Sequence, residues 1–167
     1  RPPVSNMYES MVYMNWALMV FAAAGPRWVG EPISLAREGR NIMLVLDLSG
    51  SMAFDDMFIN GEPATRLAVV KEAAKQFVKA RSGDKIGLIV FGTQAYLQTP
   101  LTFDRHSILL RIDDASVGLA GKTTSIGDAL GLAVKRLQEE SSASRVVIFL
   151  TDGGNNSGVL APLKAAE

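Results

Sequence analysis

Asp47, Ser49 and Ser51 set one carboxylate and two small hydroxyls at alternating positions in the stretch Asp47-Leu48-Ser49-Gly50-Ser51-Met52. Oxygen donors of this kind suit a hard divalent cation. Two further segments carry the same chemistry. Thr123 and Thr124 stand just before an apolar periodic run, and Asp152 lies in Thr151-Asp152-Gly153-Gly154. Together the three segments offer two carboxylates and at least three hydroxyls. That set fits Mg²⁺ or Mn²⁺ in octahedral coordination.

Elements must bring these segments together. Residues 42–46 (Ile-Met-Leu-Val-Leu) are apolar without a break, as in a short strand buried on both faces. Residues 86–91 and 146–150 read the same way. Residues 95–98 suggest a short antiparallel edge strand ending before Thr99-Pro100. From Thr65 onward, Leu67, Val70, Ala74, Phe77 and Val78 recur on one helical face, with Lys71, Lys75 and Lys79 on the other. Asp104 is the expected N-cap of a short helix through Leu110. A flexible loop over residues 118–124 precedes a helix striped by Ile126, Ala129, Leu130, Ala133, Val134 and Leu137. Asn60-Gly61 marks a tight turn. Apolar strands alternating with helices indicate an α/β fold with a doubly wound, mostly parallel sheet flanked by helices. Such sheets bind ligands at the carboxyl ends of their strands. All three oxygen-rich segments are expected to converge there.

At 167 residues, 48% hydrophobic and 20% charged, the chain has enough apolar content for one ordinary core. Seventeen basic and seventeen acidic residues cancel, which removes the long-range pull expected of a nucleic-acid binder. The chain has no cysteine, hence no disulfide and no thiolate metal site. Residues 11–24 are apolar apart from Asn15, and extension back to Met7 takes in Glu9 and Ser10. A bilayer span wants roughly 20 apolar residues. The run therefore reads as a membrane helix, as a signal sequence with Ala22-Ala23-Ala24 near a cleavage site, or as a packed helix.

The D-x-S-x-S pattern of Asp47, Ser49 and Ser51, followed in order by Thr124 and by Thr151-Asp152-Gly153, resembles the metal-ion-dependent adhesion site of von Willebrand factor A domains. The resemblance covers roughly residues 41–154. It implies that Asp47, Ser49, Ser51, Thr124 and Asp152 hold one metal ion, with Thr124 preferred over Thr123. It also implies a binding module rather than an enzyme, its metal completed by an Asp or Glu carboxylate of a partner protein. The family continues with a further strand and helix beyond the point reached here. Pro26-Arg27-Trp28-Val29-Gly30-Glu31-Pro32, Gly92-Thr93-Gln94-Ala95-Tyr96-Leu97 and Pro100-Leu101-Thr102-Phe103-Asp104 extend the likeness to bacterial BatA/BatB-type proteins. Those are membrane-anchored A-domain proteins associated with MoxR-type AAA+ ATPases. The likeness implies a transmembrane helix within residues 1–25, a linker over 26–40 and an A domain over 41–167. It also implies partners among such ATPases and other A-domain proteins. Arg27, Arg37 and Arg40 after the apolar run favour a cytoplasmic domain, whereas the family pulls towards the periplasmic side of the inner membrane, which is the placement expected here.

Rival readings are weaker. A Mg²⁺-dependent phosphatase of the haloacid dehalogenase type wants a second aspartate where Ser49 stands. His106 is the single histidine and lies in a polar stretch, so no Ser-His-Asp set is available. Gly121-Lys122-Thr123-Thr124 evokes a phosphate-binding loop, but Ser116 occupies the place of its upstream glycine. Asp55 and Asp56 fit a solvated loop better than a second cation site. A structural scaffold with an empty metal site is the third reading.

Overall fold

The computed structural model describes residues 4–25, 39–140, 144–160 and 164–165, with side chains from residue 7 onward in the first stretch. The expectations placed on residues 26–32 lie outside the described residues. The backbone divides into two units, residues 1–36 and 37–167.

The first unit contains helix α1 (Val4–Ala23). Its described side chains are all exposed. The expectation of a membrane-spanning helix is corrected here, because no helix among the described residues is long and apolar enough to cross a membrane. Glu9, Ser10 and Asn15 supply the physical reason: a carboxylate and an amide within the apolar run are costly in hydrocarbon.

The second unit is built on a four-stranded sheet in the order β5-β4-β1-β6. Strand β1 (Asn41–Asp47) pairs in parallel with β4 (Lys85–Phe91) on one side and β6 (Arg145–Leu150) on the other. Strand β5 (Ala95–Thr102) runs antiparallel to β4. Ile42, Leu44 and Leu46 pack with helices α2 (Arg66–Ala80) and α3 (Arg105–Asp114), while Met43 and Val45 pack with α4 (Ile126–Gln138). Helices thus cover both faces, which is why β1 is apolar without a break from Ile42 to Leu46. The buried face of α4 is Gly127, Ala129, Ala133 and Leu137, and its three small residues let the helix lie close to the sheet.

Local signals set the ends of these elements. Thr65 caps α2 by accepting a hydrogen bond from the Ala68 amide at 3.1 Å. Asp104 caps α3 in the same way from Ser107 (3.2 Å). Helix α3 runs beyond the expected Leu110, because Ile112 continues its buried face. Asn60 and Gly61, with φ of 52° and 88°, close a hairpin of β2 (Met57–Ile59) and β3 (Glu62–Ala64). Both turn positions need positive φ, which Asn-Gly adopts readily.

Two strand expectations change. Strand β5 does not stop before Thr99-Pro100 but continues to Thr102. It is an edge strand whose register against β4 shifts between Ile86 and Ile89, and such an edge tolerates a residue without an amide proton. Strand β6 is only half-buried. Among the described residues it pairs with β1 alone.

Candidate functional site

The register of the sheet builds the site. Leu46 pairs with Leu150, so Asp47 and Thr151 leave the sheet side by side. Thr151 Oγ1 donates to Asp47 Oδ2 at 2.6 Å, and the Ser49 amide donates to Asp47 Oδ1 at 2.8 Å. Asp47 is completely buried. Its hydrogen-bond donors are neutral, and among the described residues no ion pair includes it. A short 3₁₀ turn, Gly50–Ala53, then drops Met52 into the core and leaves Ser51 at the sheet edge. Ser51 Oγ donates to Asp152 Oδ1 at 2.9 Å and lies 3.2 Å from Ser49 Oγ. Asp47, Ser49, Ser51 and Asp152 therefore form one hydrogen-bonded group across the ends of β1 and β6.

The threonine pair separates by environment. Thr123 is exposed, and its hydroxyl bonds to Thr93 Oγ1 at 2.8 Å. Thr124 is buried, and a Cβ added at Gly153 would lie 3.8 Å from its Oγ1. Thr124 thus adjoins the Asp152 loop, and Thr123 turns towards the loop after β4.

That packing is fixed by cross-loop bonds. The Thr124 amide donates to Asn156 Oδ1 at 2.7 Å, the Thr124 carbonyl accepts from the Asn156 and Ser157 amides, and the Ile126 amide donates to Asn155 Oδ1 at 2.8 Å. Two asparagines from the segment after β6 thus cap the start of α4 and clip the threonine loop to the aspartate loop. Ser125 is buried and donates through Oγ to the Gly92 carbonyl at 2.7 Å. A Cβ at Gly92 would meet the Gly121 carbonyl oxygen at 2.6 Å, so only glycine lets the end of β4 approach this loop. The loop expected to be flexible is tied further by Gly118 to the Leu48 carbonyl and by Gln94 to the Ala120 carbonyl.

Arg66, the first residue of α2, completes the surroundings. Its Nη1 donates to Asp152 Oδ2 at 2.5 Å and its Nε to Asp56 Oδ1 at 2.8 Å, with Nη2 also on Asp56. The hydrogen bond from Arg66 is the main cause holding the Asp56 carboxyl below the usual aspartate range. Sequence reasoning missed Arg66, Thr151, Asn155 and Asn156 as parts of the site. Only Thr151 had a usable signal, its place directly after the apolar run 146–150, as Asp47 directly follows the run 42–46. His106 is exposed on α3, as expected.

With the five expected residues placed, a family model for the von Willebrand factor type A domain matches residues 42–155. The chain belongs to the von Willebrand factor A family. A domains of this kind are in general protein-interaction modules. A solved membrane-spanning protein of Vibrio fischeri is 49% identical, with a TM-score of 0.60 over 77% of this chain and 63% of its own. An aerotolerance-related membrane protein of Bacteroides fragilis is 32% identical, with a TM-score of 0.65 over 72% of this chain and 57% of its own. BatB from Bacteroides thetaiotaomicron is 29% identical, with a TM-score of 0.60 over 66% of this chain and 52% of its own. The A domain here is therefore of the BatB-like bacterial kind. The chain spans less than half the length of the curated relatives it matches.

Proposed function

We propose that this A domain recognises other proteins through a divalent cation, Mg²⁺ or Mn²⁺, held by Asp47, Ser49, Ser51, Thr124 and Asp152. The observation that carries the reading is the fully buried Asp47 carboxylate, held by two neutral donors and linked through two serine hydroxyls to Asp152. Burying a carboxylate is expensive unless a cation or a full set of hydrogen bonds offsets it. The oxygen donors around Asp47 are of the hard type that Mg²⁺ and Mn²⁺ accept. Bound there, the ion would supply a centre of residual positive charge, because hydroxyl ligands neutralise none of it. An Asp or Glu carboxylate of a partner is the group that such a centre favours.

The chain's own residues set the terms of this recognition. Asp47 is locked in place by Thr151 and the Ser49 amide, Ser51 and Asp152 orient each other, and the asparagine clips hold Thr124 beside them. The same arrangement argues against hydrolysis. Ser49 Oγ bonds to Ser51 Oγ, and among the described residues no histidine or lysine bonds to it as a base. We therefore read the domain as a binding module and not an enzyme.

Likeness to BatB and to two membrane proteins supports membrane association. Our reading adds to this a domain on the periplasmic side and a MoxR-type AAA+ ATPase or another A-domain protein among the partners. Crosslinking in native membranes tests the function. Partners captured in Mg²⁺ should be lost both in EDTA and with Asp47→Ala. Capture that survives both treatments would refute metal-dependent recognition. Labelling of single introduced cysteines by an impermeant reagent tests the side, since the chain has no native cysteine.

A further inference from the structure

Arg66 is held on three sides. Its backbone amide bonds to the Phe54 carbonyl at 3.0 Å, and its guanidinium lies 5.3 Å from the centroid of the Phe54 ring. Its donors are divided between Asp56 and Asp152. Asp152 is the better buried of the two, with its side chain 13% exposed against 49% for Asp56. Asp152 in turn divides its oxygens, Oδ1 to Ser51 and Oδ2 to Arg66. One fixed positive charge thus stands a single carboxylate away from the oxygen group around Asp47.

We infer that Arg66 is a built-in counter-charge that weakens the site's hold on a divalent cation, and so preserves positive charge there for an acidic partner group. This inference rests on the metal-binding reading above. The physical argument is Coulombic. A guanidinium paired with Asp152 cancels much of that carboxylate's attraction for a cation and itself repels it at short range. Position makes the effect durable: Arg is always charged, its fork fits carboxylates, and here the Phe54 ring and Asp56 keep it from swinging into solvent. The consequence is a trade. The site binds metal less tightly than its two carboxylates would allow, and any metal it holds is less neutralised by the protein.

A purely structural Arg66 makes the opposite prediction. If its role were only to pin the Asp152 loop, removing it would loosen the site and lower metal affinity. The experiment is Mn²⁺ titration by calorimetry on the 167-residue chain, comparing wild type, Arg66→Met, Arg66→Lys, Asp56→Asn and Asp47→Ala, each checked for folding by circular dichroism. Arg66→Met should bind Mn²⁺ about three- to tenfold more tightly at low salt, and the gain should shrink as salt screens the charge. Arg66→Lys, which keeps the charge, should stay near wild type. Asp56→Asn changes an exposed position and removes the charge that competes with Asp152 for the guanidinium, so affinity should fall about twofold or more. Unchanged or weaker binding in Arg66→Met overturns the inference, and should that variant fail to fold, unchanged binding in Asp56→Asn does so. Loss of binding in Asp47→Ala together with no effect at Arg66 would sink this inference alone. Binding that survives Asp47→Ala would sink the metal site, and the inference with it.

Discussion

Asp47 is the residue on which the site turns, and its partners explain how a buried carboxylate is kept at the end of a strand. Thr151 supplies one of its two donors. Thr151→Val should cost about 1.5–3 kcal/mol, because it strips a hydrogen bond from a charged, buried acceptor; urea denaturation measures this. The two threonines offer a sharper test. Thr124→Ala should lower Mn²⁺ affinity about tenfold or more, whereas Thr123→Ala, whose hydroxyl faces Thr93, should leave it unchanged. Equal losses at both positions would contradict the assignment of Thr124. At this scale the sequence was readable where chemistry is local. Asp47, Ser49 and Ser51 lie within five positions, so their type and spacing were enough. Arg66 and Asn156 were not readable, since they meet their partners across 86 and 32 residues and only the fold sets those distances.

The elements behave as their burial dictates. Leu44, 1% exposed at the centre of β1, should cost about 2–5 kcal/mol on replacement by alanine through lost burial and the cavity left behind; equilibrium unfolding reads it directly. The cap of α3 gives a pH signature. Hydrogen bonds from Ser107, side chain first and then backbone, hold the Asp104 carboxyl below its ordinary value of 3.8. A depressed folded value means that the stabilisation is fully present above the unfolded value and is lost as pH falls through the folded one. Asp104→Asn should therefore flatten the part of the acid limb below about pH 4, measured as Tm against pH. Periodicity revealed the long elements, since β1, β4, α2 and α4 carry unbroken or striped apolar runs. It missed what depends on neighbours. Strand β5 outruns its Pro100 because it is an edge, α3 extends for the burial of Ile112, and the β2–β3 hairpin is too short to show a period.

At the scale of the whole molecule, one strand organises both the core and the site. Strand β1 has a strand on each side and helices on both faces, and its carboxyl end gathers segments that follow β1, β4 and β6. Amide exchange should follow this layout, with β1 and β4 slowest, β5 and β6 faster, and the exposed helix α1 fastest. The fold class was legible because both faces of a parallel sheet demand apolar strands, and a sequence records that demand. The membrane-spanning expectation failed for a related reason: an apolar count registers Met and Ala but understates the cost of Glu9 and Asn15. Calorimetric titration of the folded chain with Mg²⁺ and Mn²⁺, in wild type and in Asp47→Ala, tests the metal site most simply. Wild type should show one binding event per chain and the variant none, with both proteins folded. A folded wild type that binds neither ion, or a variant that binds as well as wild type, would contradict it.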